Sequence, residues 1–372
     1  RMLSLSLAWV GTLGGAASGL TDLEVHFMIS GVATSPSYTE GSPEIDNRFI
    51  VYMQNTPFGP DSYIRVHDLK TGTVIREIGK GDGRLQRQPD VSGDIVVWSD
   101  SAGNNDVLMM DLRTGGITSV AVGADDQRNP RVDGNLIVWK NHTTGYLWCR
   151  DLDFGGTAGT QLTMMGNTIW DHDVDNGRIV ATTTGDTLVT AVVLAPGYSG
   201  VLEHFPYEIS SVRLHGHRAL FTANKSDIQQ WNIQTMALSD VTTAAGFQSS
   251  PSVFHNTFAW WDERDNTGDV RYQAGPFWGN IDTGQQDYSP SIYGRRIAFG
   301  QWNNNDDYNV RLATRSPLMA RTSGPNRYKT AALVSSAYFA AAKNVVLCTG
   351  ENFPDALAAG PLARARGAPA SH

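Results

Sequence analysis

Two features of the sequence predict its fold class: a unit of about forty residues that recurs seven times with four short β-rich runs in each copy, and an alanine-rich tail with a helical pattern. Together they predict a mainly β chain. The expected architecture is a seven-bladed β-propeller, alternatively six-bladed, closed by an N-terminal strand and followed by a partial α/β module. The 372 residues are 41% hydrophobic and 18% charged, enough apolar surface for more than one packed unit. The formal charge is −8, and no run of basic residues interrupts it, which argues against binding to nucleic-acid phosphates.

The repeat shows in Pro43-Glu-Ile-Asp-Asn, Pro89-Asp-Val-Ser-Gly, Pro130-Arg-Val-Asp-Gly, His172-Asp-Val-Asp-Asn, Val212-Arg-Leu-His-Gly, Pro251-Ser-Val-Phe-His and Pro290-Ser-Ile-Tyr-Gly. The third residue of each segment is an anchor: Ile45, Val91, Val132, Val174, Leu214, Val253 and Ile292. Seven residues further on, an aromatic stands in six of the seven copies (Tyr52, Trp98, Trp139, Phe221, Trp260, Phe299), with Ala181 as the exception. A side chain in register with a repeat is expected to pack between adjacent units. Two further runs follow, joined by turns such as Lys70-Thr-Gly and Arg113-Thr-Gly, so each unit offers four antiparallel strands.

The last unit lacks its fourth run. The segment Leu23-Glu-Val-His-Phe-Met-Ile-Ser precedes the first anchor at the place of a fourth strand, so it is expected to complete blade seven through Val25 to Ile29 and remove an open edge. This assigns residues 19–314 to the propeller. The units resemble TolB-like propeller repeats, as in Ser289-Pro-Ser-Ile-Tyr-Gly-Arg-Arg-Ile-Ala-Phe. Such propellers often have six blades, and a count of seven requires the weaker copies at Val174 and Leu214.

Residues 1–18 run from Met2-Leu-Ser-Leu-Ser-Leu-Ala-Trp-Val to Gly14-Gly-Ala-Ala-Ser, the order of a signal-peptide apolar region before small residues. They are expected to be the remnant of such a peptide, with an ordinary N-terminal strand as the alternative. No apolar run reaches the length of a membrane-spanning helix. Cys149 and Cys348 fall in different expected domains, which excludes a disulfide framework.

Residues 315–372 change character. Arg327 to Ala341 keeps its apolar residues on one face, Lys343 to Gly350 reads as a buried strand, and Pro354 opens a second helix. Ser323-Gly-Pro-Asn-Arg-Tyr-Lys-Thr-Ala, Val346-Leu-Cys-Thr-Gly-Glu-Asn-Phe-Pro-Asp-Ala-Leu-Ala-Ala, Pro361-Leu-Ala and Gly367-Ala-Pro resemble the type 2 cell-wall-binding repeat of Gram-positive surface proteins. Asn326 departs from the family's usual Asp, and the strand after Ala-Pro is expected to be cut off. The resemblance implies non-covalent attachment to anionic wall polymers, usually through repeats in tandem, and so a secreted protein at the cell wall. It points to Arg327, Asp355 and Asn352 as polymer-binding residues. Arg327 has the planar donor fork that suits phosphate or carboxylate, while an Asp355 cap on the second helix or an Arg327–Asp355 ion pair is the structural alternative.

Other motifs carry less. The Asp- and Asn-rich loops at 100–106, 262–269 and 303–307 lack calcium-loop spacing and read as turns between second and third strands. Asp171-His172-Asp173 and His215-Gly-His217 lie within the repeat pattern, so no metal site, cofactor or catalytic residue is assigned. In an antiparallel blade the second-to-third loops share a face with the connections between blades. That face collects Asp100 and Asp262, with Trp261 and Trp302 as stacking surface for an unknown glycan or protein ligand. The propeller is therefore expected to be a binding or display module. The alternative is a surface hydrolase or lyase working in the propeller funnel, which acidic residues converging on the axis would favour.

Overall fold

The computed structural model describes residues 23–315, apart from 35–38, 57–60, 102, 155–158, 163–167, 184–186, 195–196, 265–267, 276 and 304–306, together with two short strands in the tail. Between 184 and 204 it describes backbone only. The chain divides into two compact units, Arg1–Ser316 and Pro317–His372.

Seven sheets make up the first unit, each with four consecutive antiparallel strands or, in the last, three plus a strand from the N-terminus. The innermost strands are Thr39–Ile45, Gln86–Ser92, Gln127–Asp133, Ile169–Asp175, Ile209–His215, Gln248–Phe254 and Gln286–Tyr293. Each lies against the next, and the seventh returns to the first, which closes a ring of seven blades. The weaker copies at Val174 and Leu214 are thus full blades.

The recurring aromatics hold the blades together. Tyr52, Trp98, Trp139, Phe221, Trp260, Phe299 and the exceptional Ala181 are all buried. Trp98 packs among Phe49, Val51 and Ile64 of the first blade, Trp139 among Val97, Val107 and Met109 of the second, and Tyr52 against Ala298 and Val310 of the seventh. These three rings therefore fill the space toward the preceding blade, the packing position that their periodicity predicts.

Closure is a two-part strap. Phe27–Ala33 runs antiparallel to Asp307–Arg315 as the outer strand of blade seven, as the sequence predicts. The preceding residues do something different: Leu23–Glu24 pairs in parallel with Phe277–Trp278, adding a fifth strand to blade six. The expected single strand is thus split at Val25-His26, where the Val25 N–H donates to the Trp278 carbonyl at 2.8 Å. Gly279 leaves room for the strap, since a Cβ there would lie 2.8 Å from the Val25 carbonyl oxygen and 2.9 Å from the Phe27 ring.

In the second unit, Val346–Leu347 pairs in parallel with Ala370–Ser371. The strand after Ala-Pro, expected to be missing, is therefore begun, and its parallel pairing is what a helix-linked crossover produces. The signal-peptide residues, the two predicted helices, Cys348, Arg327, Asn352 and Asp355 lie outside the described residues.

Candidate functional site

One local irregularity, repeated around the ring, builds the centre of the propeller. Every innermost strand carries a β-bulge against its neighbour a few residues before the anchor. In six blades the residue three before the anchor is left-handed: Ser42, Gln88, Asn129, Ser211, Ser250 and Ser289 have φ between 47 and 52°. Non-glycine residues adopt this conformation at a cost, and a bulge stabilises it by releasing the strand from its ladder. Proline follows in five of these blades, buried and needing no ladder partner for its missing N–H. The bulge turns each strand toward the axis.

The fourth blade breaks the pattern. Its bulge falls one residue earlier, between Ile169 and Asp171, so Asp171 and His172 return to the ladder. Trp170 is the extruded residue and is 61% exposed. His172 replaces the proline and is wholly buried; burial pushes its pKa down to about 4, so the ring is neutral.

The residue just before each anchor reads, around the ring, Glu44, Asp90, Arg131, Asp173, Arg213, Ser252 and Ser291. Topology brings these together with Asp171. Arg131 Nη1 bonds to Glu44 Oε1 and lies 4.0 Å from Asp90, and Arg213 Nη1 donates to Asp171 Oδ2 at 2.9 Å. Asp90 accepts the Val132 N–H at 2.8 Å and Asp173 the Leu214 N–H at 2.7 Å, each from the following blade. Burial opposes the charge on Glu44, but the Arg131 and Arg213 charges outweigh it and hold its pKa low; Asp171 is held low in the same way by Arg213 and Arg131. Burial dominates at the other two, pushing Asp90 up to about 7 and Asp173 up to about 6.

Above this layer lies a cavity of about 250 Å³, lined by the left-handed residues, their prolines, Glu44, Arg131, Asp171 and Arg213. Strand direction places it toward the face that carries the second-to-third loops. On the other side of the charged layer, the residue after each anchor ties neighbouring blades. Asp46, Ser92, Asp133 and Asp175 accept the N–H of Gly93, Gly134, Asn176 and Gly216 in the next blade. In the remaining blades the same position carries rings: His215, Phe254 and Tyr293 stack in sequence, at 4.8 Å and 4.5 Å between centroids. His215 also lies 3.3 Å from Asp175, so the His-Gly-His segment belongs to this interblade clasp.

The predicted ligand face is placed as follows. Asp262 is buried and accepts from Trp260 Nε1 at 3.1 Å and from the Arg264 backbone and guanidinium. Asp100 is buried and accepts from Gln86 Nε2 at 3.1 Å and Arg84 Nη1 at 3.5 Å. Both carboxylates pin the loops of that face. Trp261 is half-buried with Phe247 edge-on at 5.6 Å, and Trp302 is half-buried with Tyr308 at 6.4 Å. Sequence reasoning passed over the axial charges and Trp170. Their signal lies in single columns of the repeat: the column before the anchor is charged in five copies, and blade four alone has no left-handed residue three before its anchor.

Solved structures similar to this chain share its fold. The β-propeller domain of the Trilobed protease from Pyrococcus furiosus is 10% identical, with 75% of this chain and 97% of that one covered at a TM-score of 0.58. An oligogalacturonate lyase in complex with manganese is 13% identical, covering 80% and 95% at 0.57, and a prolyl endopeptidase is 10% identical, covering 78% and 52% at 0.57. At these identities the likeness is one of fold alone. No curated protein matches the sequence. Residues 321–370 match the family model Cell wall binding domain 2 (CWB2), so the chain joins a β-propeller to a cell-wall-binding segment.

Proposed function

We propose that this is a secreted Gram-positive surface protein, held non-covalently at anionic wall polymers by its C-terminal segment and presenting the propeller as a binding module. The match over residues 321–370 carries the anchoring. Arg327, Asn352 and Asp355 are the proposed polymer contacts, Arg327 through its donor fork. On the propeller, Trp261 and Trp302 are the proposed ligand contacts, with Asp262 and Asp100 holding the loops beneath them. The axial carboxylates support binding over catalysis, because Glu44 and Asp171 are spent on arginines and Asp90 and Asp173 on backbone N–H groups.

Sedimentation with purified Gram-positive walls tests the anchoring. The full chain is expected to pellet weakly, because one segment gains no avidity from neighbours, and a form carrying additional repeats is expected to pellet far better. Arg327→Ala should reduce pelleting. Equal pelleting by a chain ended at residue 314 would place the wall contact elsewhere.

One observation favours a second reading, a hydrolase or lyase: Asp90 and Asp173, buried on the axis with raised pKa values, have the character of proton donors. Turnover of a wall glycan or peptide that disappears in both Asp90→Asn and Asp173→Asn would decide for it.

A further inference from the structure

We infer that the axial cavity takes the end of an uncharged, hydroxyl-rich glycan, hydrogen-bonded by the paired side chains of the channel wall and stacked on Trp170. This deepens the reading of the propeller as a binding module and rests on it.

Size comes first. The cavity, at about 250 Å³, is of the order of one sugar ring and far below what a folded peptide segment needs. All seven blades line it, and the small Ser42, Ser211, Ser250 and Ser289 at the left-handed position leave the room.

The wall's chemistry comes second. Arg131, Arg213, Glu44 and Asp171 are planar groups with two or more donors or acceptors, alternating with the Asn129 and Gln88 amides. Such forks bind neighbouring hydroxyls in pairs. The Glu44–Arg131 and Asp171–Arg213 ion pairs hold them in place beforehand, and the left-handed bulges stiffen the backbone that carries them. An apolar ligand end would strip water from two ion pairs and give nothing back.

Charge sets the third limit. Two arginines and two carboxylates, Glu44 and Asp171, line the cavity, so an anionic ligand meets no surplus of positive charge. A cation finds Glu44 and Asp171 already neutralised by their arginines. A neutral polar ligand pays neither penalty. Trp170 adds the apolar component that sugar C–H faces use: one residue from the cavity-lining Asp171, its indole is exposed because the bulge of blade four expels it from the ladder. Asp171 is tied to Arg213 at 2.9 Å, so the residue that follows Trp170 in the chain is a fixed fork.

Calorimetric titration of the full chain with neutral cello-, malto- and N-acetylchito-oligosaccharides, with oligogalacturonate as anionic probe and chitosan oligomers as cationic probe, tests the inference. A neutral oligosaccharide is expected to bind, at least tenfold more weakly in Trp170→Ala. Ser289→Gln, which places at the left-handed position the side chain blade two already tolerates there, is expected to abolish binding by filling the cavity. Ile117→Ser, exposed on the outer strand of blade two, should leave it unchanged. Preference for either charged probe, binding indifferent to both Trp170→Ala and Ser289→Gln, or no binding by any neutral member overturns the inference. Loss of affinity only in Trp261→Ala would also overturn it while leaving the propeller a binding module, and wall pelleting reads the anchoring separately.

Discussion

Arg131 on the inner strand of the third blade is ion-paired to Glu44 of the first, 87 residues away, skipping the blade between them. Both side chains are mostly buried, at 14% and 20% exposure, and Asp90 of the skipped blade lies 4.0 Å from the same guanidinium nitrogen. Removing one partner of a buried pair leaves an uncompensated charge, so Arg131→Met should cost about 3–5 kcal/mol. Arg131→Met combined with Glu44→Gln should cost clearly less than Arg131→Met alone. Denaturant titration of the two variants measures this, and equal losses would show that the pair is not coupled.

Stability should fall as pH rises through the range in which the axial acids titrate. Burial raises Asp90 to about 7 and Asp173 to about 6 from 3.8, so the native state holds more protons than the unfolded chain across this window. Each excess proton gives a slope of about 1.4 kcal/mol per pH unit. His172 acts oppositely: lowered from 6.5 to about 4, it favours the folded state as pH rises and offsets one of the two acids. Glu44 and Asp171, held low, lose their contribution only on stronger acidification. Asp90→Asn should therefore flatten the decline between pH 5 and pH 8, measurable as a smaller difference in Tm; a decline as steep as that of the parent would count against the assignment.

Gly279→Ala tests the strap. The added Cβ meets a backbone oxygen, which cannot swing aside, so a loss of about 1–3 kcal/mol is expected. Removing residues 1–31 should go further and cost the propeller its cooperative thermal transition. Unchanged unfolding of either form would mean the strap contributes nothing.

The interblade clasp is made in two materials, and substitutions should separate them. Asp175→Ala strips the Gly216 N–H and His215 of their acceptor, at about 1–2 kcal/mol. Phe254→Ala removes ring contacts with His215, His255 and Tyr293, each worth about 0.5–1.5 kcal/mol, and should be the more costly. Melting temperatures that reverse this order would show that the stacked half is the weaker one.

The anchors and aromatics were legible in the sequence because each recurs at one register position and does the same work in every blade. Val132 and Trp139, for example, belong to one interblade cluster. The axial site was not legible in the same way. Glu44, Asp90, Arg131, Asp173 and Arg213 each stand about forty residues from the next, and singly each resembles a surface charge on a strand. Only closure of the ring makes them neighbours. Trp261 and Trp302 stand beside polar loops in the sequence, yet in the fold they pack with Phe247 and Tyr308, which no strand periodicity reports. Trp170 is conspicuous only as a departure from the other six bulges.

Ser30 and Leu312, joined by a hydrogen bond, are separated by 282 residues of chain. The closure described above thus has a place in time as well as in space. Six blades form from hairpins between neighbours in sequence, but the seventh waits for a segment made long before it. Until then Phe27–Ala33, with Met28 and Ile29 along it, is an unpaired strand, and the outer edge of Asp307–Arg315 is open to any extended peptide. Locking the ring is therefore expected to be the slowest step of propeller folding, and a chain interrupted before residue 307 lacks the partner strand that Phe27–Ala33 needs to close it.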